Sequence, residues 1–405
     1  MSFTDYFLQN RVRILILAAL HFTIDFYAGL TIPLPEPTLV NHLQRGLPTI
    51  LFVTTLSSLI CNIVQPVAGS LMHRDGHPWL LLVTPPLAAL TACVGLVTSL
   101  GGFAALFCVA FICIGIVHPE AAWMAQSLTR NRKGLATACF MSGGFIGYST
   151  GALVGAWWAS HHGLAGLWCF SLPALLLTAL IAASGLHRRP ANPIPDDPPS
   201  VGRGKLPFLP VFLVAMTISA SACVLTRLYP VFAVRTFGVE AQAWGGLVLF
   251  SQGIVAAFMA YVWGHRSDRR GCGSTIRLIE WMGLPFFILL ILVPDIRLAP
   301  LCAIGIGMTA GAAFPLSVVL ARHAHGLPPR FRMGLCIGGS WAIGELVVML
   351  LSLYIGRFPD GAVEPLRHAL YFPPAAAILI VILASWLKRW DYGTALPAAT
   401  MPGSP

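Results

Sequence analysis

Apolar runs long enough to cross a bilayer, about 20 residues each, alternate with short polar connections along almost the whole chain. They fall at 12–38, 47–72, 79–99, 102–128, 134–160, 164–186, 207–235, 241–263, 274–294, 298–322, 333–357 and 367–388. Within hydrocarbon a single segment satisfies its own backbone only as a helix. The pattern therefore predicts an all-α membrane protein with twelve transmembrane helices. Composition agrees. Of the 405 residues 57% are hydrophobic and 10% charged, against about 25% charged in a soluble domain; the mean hydropathy is +0.78. The opening Met1–Asn10 is polar and the first apolar run is too long for a signal peptide, so no removable leader is expected.

The formal net charge of +10 raises the question of nucleic acid, and the positions answer it. Arg45, Arg235, Arg297, Arg357 and Arg367 fall on one side of the predicted spans, and Arg227 falls inside one. The remaining nineteen of the 25 lysines and arginines, Arg74, Arg130, Arg132, Lys133, Arg188, Arg189 and Arg269 among them, fall on the side of the N terminus. Such an asymmetry is an orientation signal that puts both termini in the cytoplasm, and a nucleic-acid partner is not expected. The ten cysteines are scattered without metal or redox spacing, which predicts small buried hydrophobes rather than a metal site.

Several positions recur at a fixed offset of 195. Gly69, His73, Arg74 and Gly76 are answered by Gly264, Asp268, Arg269 and Gly271, and Gly143-Gly144 by Gly338-Gly339. Pro119 is answered, one residue off, by Pro315. A repeat of this kind predicts two homologous halves, placed at 1–186 and 207–390. Between them 187–206 is rich in proline and charge and reads as a cytoplasmic linker. Residues 391–405 read as a disordered tail.

Ionisable residues inside the apolar runs are the candidates for function, because each is costly there without a partner or a task. Gly115-Ile-Val-His-Pro-Glu-Ala121 places His118, Pro119 and Glu120 in one helix, with the proline bending it. His21 and Asp25 are four apart and share a helix face, Asp25 about 20 Å along from Val12. Arg227 and Glu345 lie in later spans and are expected to face a central cavity, paired with each other or with cargo. Arg227 suits a carboxylate or phosphonate because its fork is bidentate and permanently charged. Glu36 is expected in water at a rim beside Pro33, Pro35 and Pro37, and Glu280 at an interface near the start of its helix. Gly143, Gly144, Gly147, Gly151 and Gly155 form a stripe that lets a neighbouring backbone approach closely.

The two loops Gly69…Gly76 and Gly264…Gly271 resemble the cytoplasmic signature of the major facilitator superfamily, with His73 standing where an acid is usual. Parallel six-helix halves are that superfamily's architecture, so two pseudo-symmetric six-helix bundles are expected. The glycine stripe resembles the signature of its antiporters, with Ala152 in place of the closing proline. His21-x-x-x-Asp25, Gln65-Pro-Val-x-Gly69, His118-Pro-Glu-Ala121 and Gly143-Gly144 together are similar to the fosmidomycin-resistance branch. That resemblance implies an exporter in the bacterial inner membrane, driven by the proton gradient, for small and often anionic or amphiphilic compounds; a monomer that needs no other cofactor is expected. The expected mechanism is alternating access, with gating at the two signature loops. Asp25 and Glu120 would carry protons, and His118 would tune Glu120. An uptake carrier symporting a small organic acid is the alternative. An enzyme is disfavoured, because His118-Pro-Glu120 lacks the i, i+4 histidine pair of a zinc helix.

Overall fold

A backbone group left unpaired in lipid costs several kcal/mol, so each apolar run closes its hydrogen bonds within itself. The computed structural model describes residues 3–71, 77–128, 133–188, 206–327 and 329–390. Among the described residues the longer helical segments number twelve: α1 Phe3–Leu30, α2 Leu47–Leu71, α3 Leu80–Leu96, α4 Leu100–Ser127, α5 Lys133–His162, α6 Leu167–Ser184, α7 Phe208–Phe237, α8 Ala241–Arg270, α9 Cys272–Leu292, α10 Ile296–Ala321, α11 Phe331–Ile355 and α12 Glu364–Trp390. Nine are continuous, long and apolar enough to span a membrane, and α10 makes ten if its two bent pieces count as one. Helix α3 is shorter, and α5 is diluted by glycine and serine. Among the described residues there is no β-strand, only an isolated bridge between Pro207 and His325.

Proline and glycine explain most departures from straight helices. The first run, drawn to 38 with Pro33, Pro35 and Pro37 expected to break its helix, is helical only as far as Leu30, and a π-turn forms at Pro35–Leu39 among those prolines. Pro85 and Pro86 sit within α3, which tightens to a 3-10 helix over Ala89–Leu96. Helix α10 bends by 43° at Thr309, between Met308 and Ala310.

The cores follow the two halves. One cluster joins Leu17, Leu20, Tyr27, Phe103, Phe107 and Phe140 with partners up to Leu186. Two others gather residues of α7 to α12, around Ile218, Ile279 and Phe314 and around Tyr229, Phe232 and Val348; Leu47 and Leu51 of α2 join the latter. Large apolar side chains such as Leu176, Phe258, Leu301 and Ile382 are more than 60% exposed, which suits an outer face against lipid rather than water. Most of the expected linker at 187–206 and the whole tail at 391–405 lie outside the described residues, as do His73, Arg74 and Gly76.

Helices α1 and α5 approach each other closely. A Cβ on Gly143, Gly147, Gly151 or Gly155 would overlap the backbone of Ala18, Phe22, Phe26 or Leu30 respectively. The glycines and the carbonyls they face both recur every fourth residue, so the two backbones meet from Ala18 to Leu30 and from Gly143 to Gly155. Gly29 of α1 returns the contact against the backbone of Tyr148. The stripe expected from sequence is therefore a helix-packing surface, and what it packs is the helix that carries His21 and Asp25.

Candidate functional site

A cavity of about 860 Å³ opens between the halves. Its wall includes His21 and Asp25 of α1, Ser58 and Gln65 of α2, His118 and Glu120 of α4, Tyr148 of α5, Arg227 of α7, Gln252 of α8, Glu280 of α9, Phe314 of α10, and Trp341 and Glu345 of α11. It reaches Gly69, Met333 and Gly334 near the ends of α2 and α11 on the side of the N terminus. On the other side the halves are tied together. Arg235 of α7 donates from Nε to Glu36 at 2.7 Å and from Nη1 to the Ala362 carbonyl at 3.0 Å. Gln242 of α8 donates to the Pro33 carbonyl at 3.1 Å and to the Thr38 hydroxyl at 2.8 Å. Glu36 is thus a half-buried tie between halves, not a residue standing in water, because Arg235 reaches it from the facing bundle.

The first polar group on the cavity wall lies wholly within the first half. Nε2 of His21 is 3.2 Å from one oxygen of Asp25, and Nε2 of His118 is 3.2 Å from the other. Each imidazole is held from behind by a main-chain carbonyl: Nδ1 of His21 by Phe140 at 2.7 Å, and Nδ1 of His118 by Ile114 at 2.6 Å. The His21 ring also stacks on Phe140, with centroids 4.1 Å apart. Gly144 makes room for the group, since a Cβ there would overlap His21 and Asp25. A carbonyl oxygen only accepts, so each Nδ1 carries hydrogen, and each Nε2···Oδ contact needs a proton of its own to be a hydrogen bond. The trio therefore has two places for an exchangeable proton.

Glu120 does not join this trio. His118 and Glu120 flank Pro119 on different faces of α4, and Glu120 accepts instead from the backbone N–H of His77 at 2.8 Å. The expected tuning of Glu120 by His118 gives way to a His118–Asp25 contact. The other oxygen of Glu120, Oε1, is buried without a hydrogen-bond partner.

The second polar group belongs to the other half. Arg227 donates from Nη2 to Glu345 Oε1 at 2.8 Å, and both side chains are nearly fully buried. Of the two arrangements open from sequence, the structure selects the internal pair. Ser58 of α2 donates to the same oxygen at 2.7 Å, which links the pair to the first half. The guanidinium expected to meet an anionic cargo is already committed to a carboxylate.

Of the signature loops, Gly264, Asp268 and Arg269 stand in the last turns of α8, and Gly271 ends that helix with φ +88°, a conformation L side chains rarely adopt. Gly69 lies within the last turns of α2. Sequence reasoning missed Ser58, Phe140 and the His77 backbone. Serines and phenylalanines in apolar helices carry no chemical signal until their neighbours are known.

A central polar cavity between two six-helix bundles, tied shut at one end, is the anatomy of a secondary transporter. The sequence profile of the Major Facilitator Superfamily matches residues 15–334, and the chain belongs to that superfamily. Among solved structures it is similar to a bacterial homolog of the human lysosomal transporter Spinster. The inward-facing and occupied form matches with a TM-score of 0.64 and 16% identity over 96% of this chain and 99% of that one. The inward-facing and unoccupied form matches with a TM-score of 0.59 and 15% identity over 98% and 100%. At such identities the likeness is one of fold. No curated protein matches the chain.

Proposed function

We propose that this protein is a proton-coupled exporter of small organic compounds, working by alternating access in a bacterial inner membrane with both termini in the cytoplasm. The observation that carries the reading is the His21–Asp25–His118 trio on the cavity wall. With both Nε2···Oδ contacts protonated the trio is closed by hydrogen bonds. When one proton leaves, a bare Nε2 faces a carboxylate oxygen across the same gap, and that contact turns repulsive. Proton release therefore loosens the hold between α1 and α4. Glu120, which accepts from the backbone N–H of His77 just before α3, is the second candidate carrier. It lies between the trio and the end of the cavity on the side of the N terminus.

The rocking of the halves has contacts to break on the cavity wall and at its closed end. Ser58–Glu345 and Arg235–Glu36 both cross from one half to the other. In the state described here the cavity reaches toward the side that carries the arginine-rich loops, which is the cytoplasmic side under the positive-inside rule. Cargo would enter there, and protonation from the opposite side would drive the return. The division into halves at 1–186 and 207–390 belongs to this proposal, as does a monomeric working unit.

The test is transport in proteoliposomes of known orientation, with an imposed pH gradient and a panel of small amphiphiles. Gradient-driven movement out of the cytoplasmic face, lost in Asp25→Asn and abolished by a protonophore, supports the reading. Movement of cargo with the proton, toward the cytoplasmic face, would convert the exporter into a symporter. Unchanged pH dependence in Asp25→Asn would remove the trio from the mechanism.

A further inference from the structure

Glu280 is only 2% exposed, lies on α9 and lines the cavity. Among the described residues its carboxyl has no hydrogen-bond or ion-pair partner. It shares a helix face with Gly283 and Phe287, three and seven residues on. A Cβ on Gly283 would press on Ala310 and Thr309, so this face of α9 is turned toward the break in α10. The break in turn brings Ala310, Gly311 and Phe314 to the cavity wall. Phe314 and Trp341 meet edge to face there, with centroids 5.6 Å apart. The same stretch of wall thus offers an unpaired carboxyl and aromatic rings, the pair of features that receives an organic cation.

The rest of the cavity points to the same ligand. Its permanent positive charge, Arg227, is occupied by Glu345, and both histidines are turned onto Asp25. The buried side-chain oxygens left without partners on the wall are acceptors: Glu120 Oε1, Gln252 Oε1 and Glu345 Oε2. Against them stands one unsatisfied donor, Arg227 Nε. Among the described residues of the wall an entering anion would find no free cation, only bare carboxyl and amide oxygens. An entering ammonium would find the reverse.

We infer that Glu280 anchors the positively charged, N–H-bearing end of an amphiphilic amine, whose apolar body lies against Phe287, Phe314 and Trp341. This deepens the transporter reading by naming the class of cargo, and it rests on the cavity being the cargo's path. It replaces the anionic cargo expected from Arg227 alone.

The experiment is equilibrium binding to the full-length protein in nanodiscs, without any gradient, by calorimetry. The probes are 4-phenylbutylamine, 4-phenylbutanol and 4-phenylbutyrate, which share an apolar body and differ in the head. The amine is expected to bind about tenfold or more tighter than the carboxylate, the scale of one charge-assisted hydrogen bond. Glu280→Gln is expected to weaken the amine by about the same factor and to leave the alcohol unchanged. Equal affinity for amine and carboxylate, or full amine affinity in Glu280→Gln, overturns the inference. Should Glu280→Gln not yield folded protein, Glu280→Asp keeps the charge and must keep the order of amine over carboxylate; reversal of that order overturns it equally. Binding is read without transport, so failure here is distinct from failure of proton coupling, which appears only in the gradient assay.

Discussion

Removing one partner of the Arg227–Glu345 pair should cost more than the pair itself contributes. The two charges are 2.8 Å apart and nearly fully buried. At an effective dielectric of ~20 their attraction is about 6 kcal/mol. Taking each ion out of water costs several kcal/mol, so the pair as a whole comes close to balance. Arg227→Met leaves the Glu345 carboxylate with Ser58 as its single donor, and Glu345→Gln leaves a buried guanidinium facing an amide. Each single substitution is expected to destabilise by about 3–5 kcal/mol. The double substitution Arg227→Met with Glu345→Gln removes both charges and should fall short of the sum of the singles by at least ~2 kcal/mol. Equilibrium unfolding in mixed micelles, followed by tryptophan fluorescence, measures all three. A further separation is informative. If the pair serves only the fold, the double variant transports like the wild type; if it serves the transport cycle, the double variant is stable and inactive. Single substitutions that cost less than ~1 kcal/mol and add without coupling would refute the claim that this is a desolvated, mutually dependent pair.

Other expectations follow from contacts at either end of the cavity. Gly151→Val places branched carbons against the backbone of Phe26 and Leu30; overpacking of about 1–3 kcal/mol or more is expected, read as a loss of folded yield and thermal stability, and a normally stable variant would contradict the close α1–α5 approach. Arg235→Met loses both the Glu36 and the Ala362 contacts and should shift the population toward opening on that side, seen as a longer spin-label distance between the outer ends of α1 and α7; unchanged distances in the presence and absence of cargo would remove this tie from the gate. Glu120→Gln is expected to fold normally, because the amide oxygen still accepts from His77, yet to lose proton-driven transport; retained pH-dependent transport would exclude Glu120 as a carrier.

The fold was legible because lipid makes one demand on every segment. Twelve apolar runs had to be helices, and the repeat at 195 residues had to reflect two halves. What the pattern could not supply was the path of the chain where proline and glycine intervene. It marked Pro33, Pro35 and Pro37 as the break in the first span but not the stop at Leu30 or the π-turn at Pro35–Leu39, and it drew α10 as one span across the bend at Thr309. The candidate residues were legible for the same reason: Asp25, His118, Glu120, Arg227 and Glu345 stand out because ionisable groups are costly in hydrocarbon. Their partnerships were not. His118 and Glu120 are two residues apart, about 200° around a helix at 3.6 residues per turn, and that rotation is what sends one to Asp25 and the other to His77. Glu280 carried the same signal as the others and was assigned to an interface, because nothing in sequence shows that α10 breaks opposite it.

The distribution of the polar groups constrains how the halves can communicate. The His21–Asp25–His118 trio is built from α1 and α4, steadied by a carbonyl of α5, all in the first half. The ion pair is built from α7 and α11, and Glu280 projects from α9, all in the second. Each group is therefore carried rigidly by its own bundle, and neither is assembled or dismantled simply because the bundles rock. The hydrogen bond from Ser58 to Glu345 is the described side-chain contact that ties the ion pair to the first half. It approaches an oxygen that Arg227 also holds, so breaking it alters the charge balance at Glu345 without moving either ion of the pair. Under the proposed exchange, a proton on α1 and a cation at Glu280 of α9 would influence each other through the cavity both line, by electrostatic competition for one enclosed volume. A cation at Glu280 and a second proton on the trio both add positive charge to the same low-dielectric space, and each raises the cost of the other. Exchange of one for the other is the behaviour such an arrangement favours.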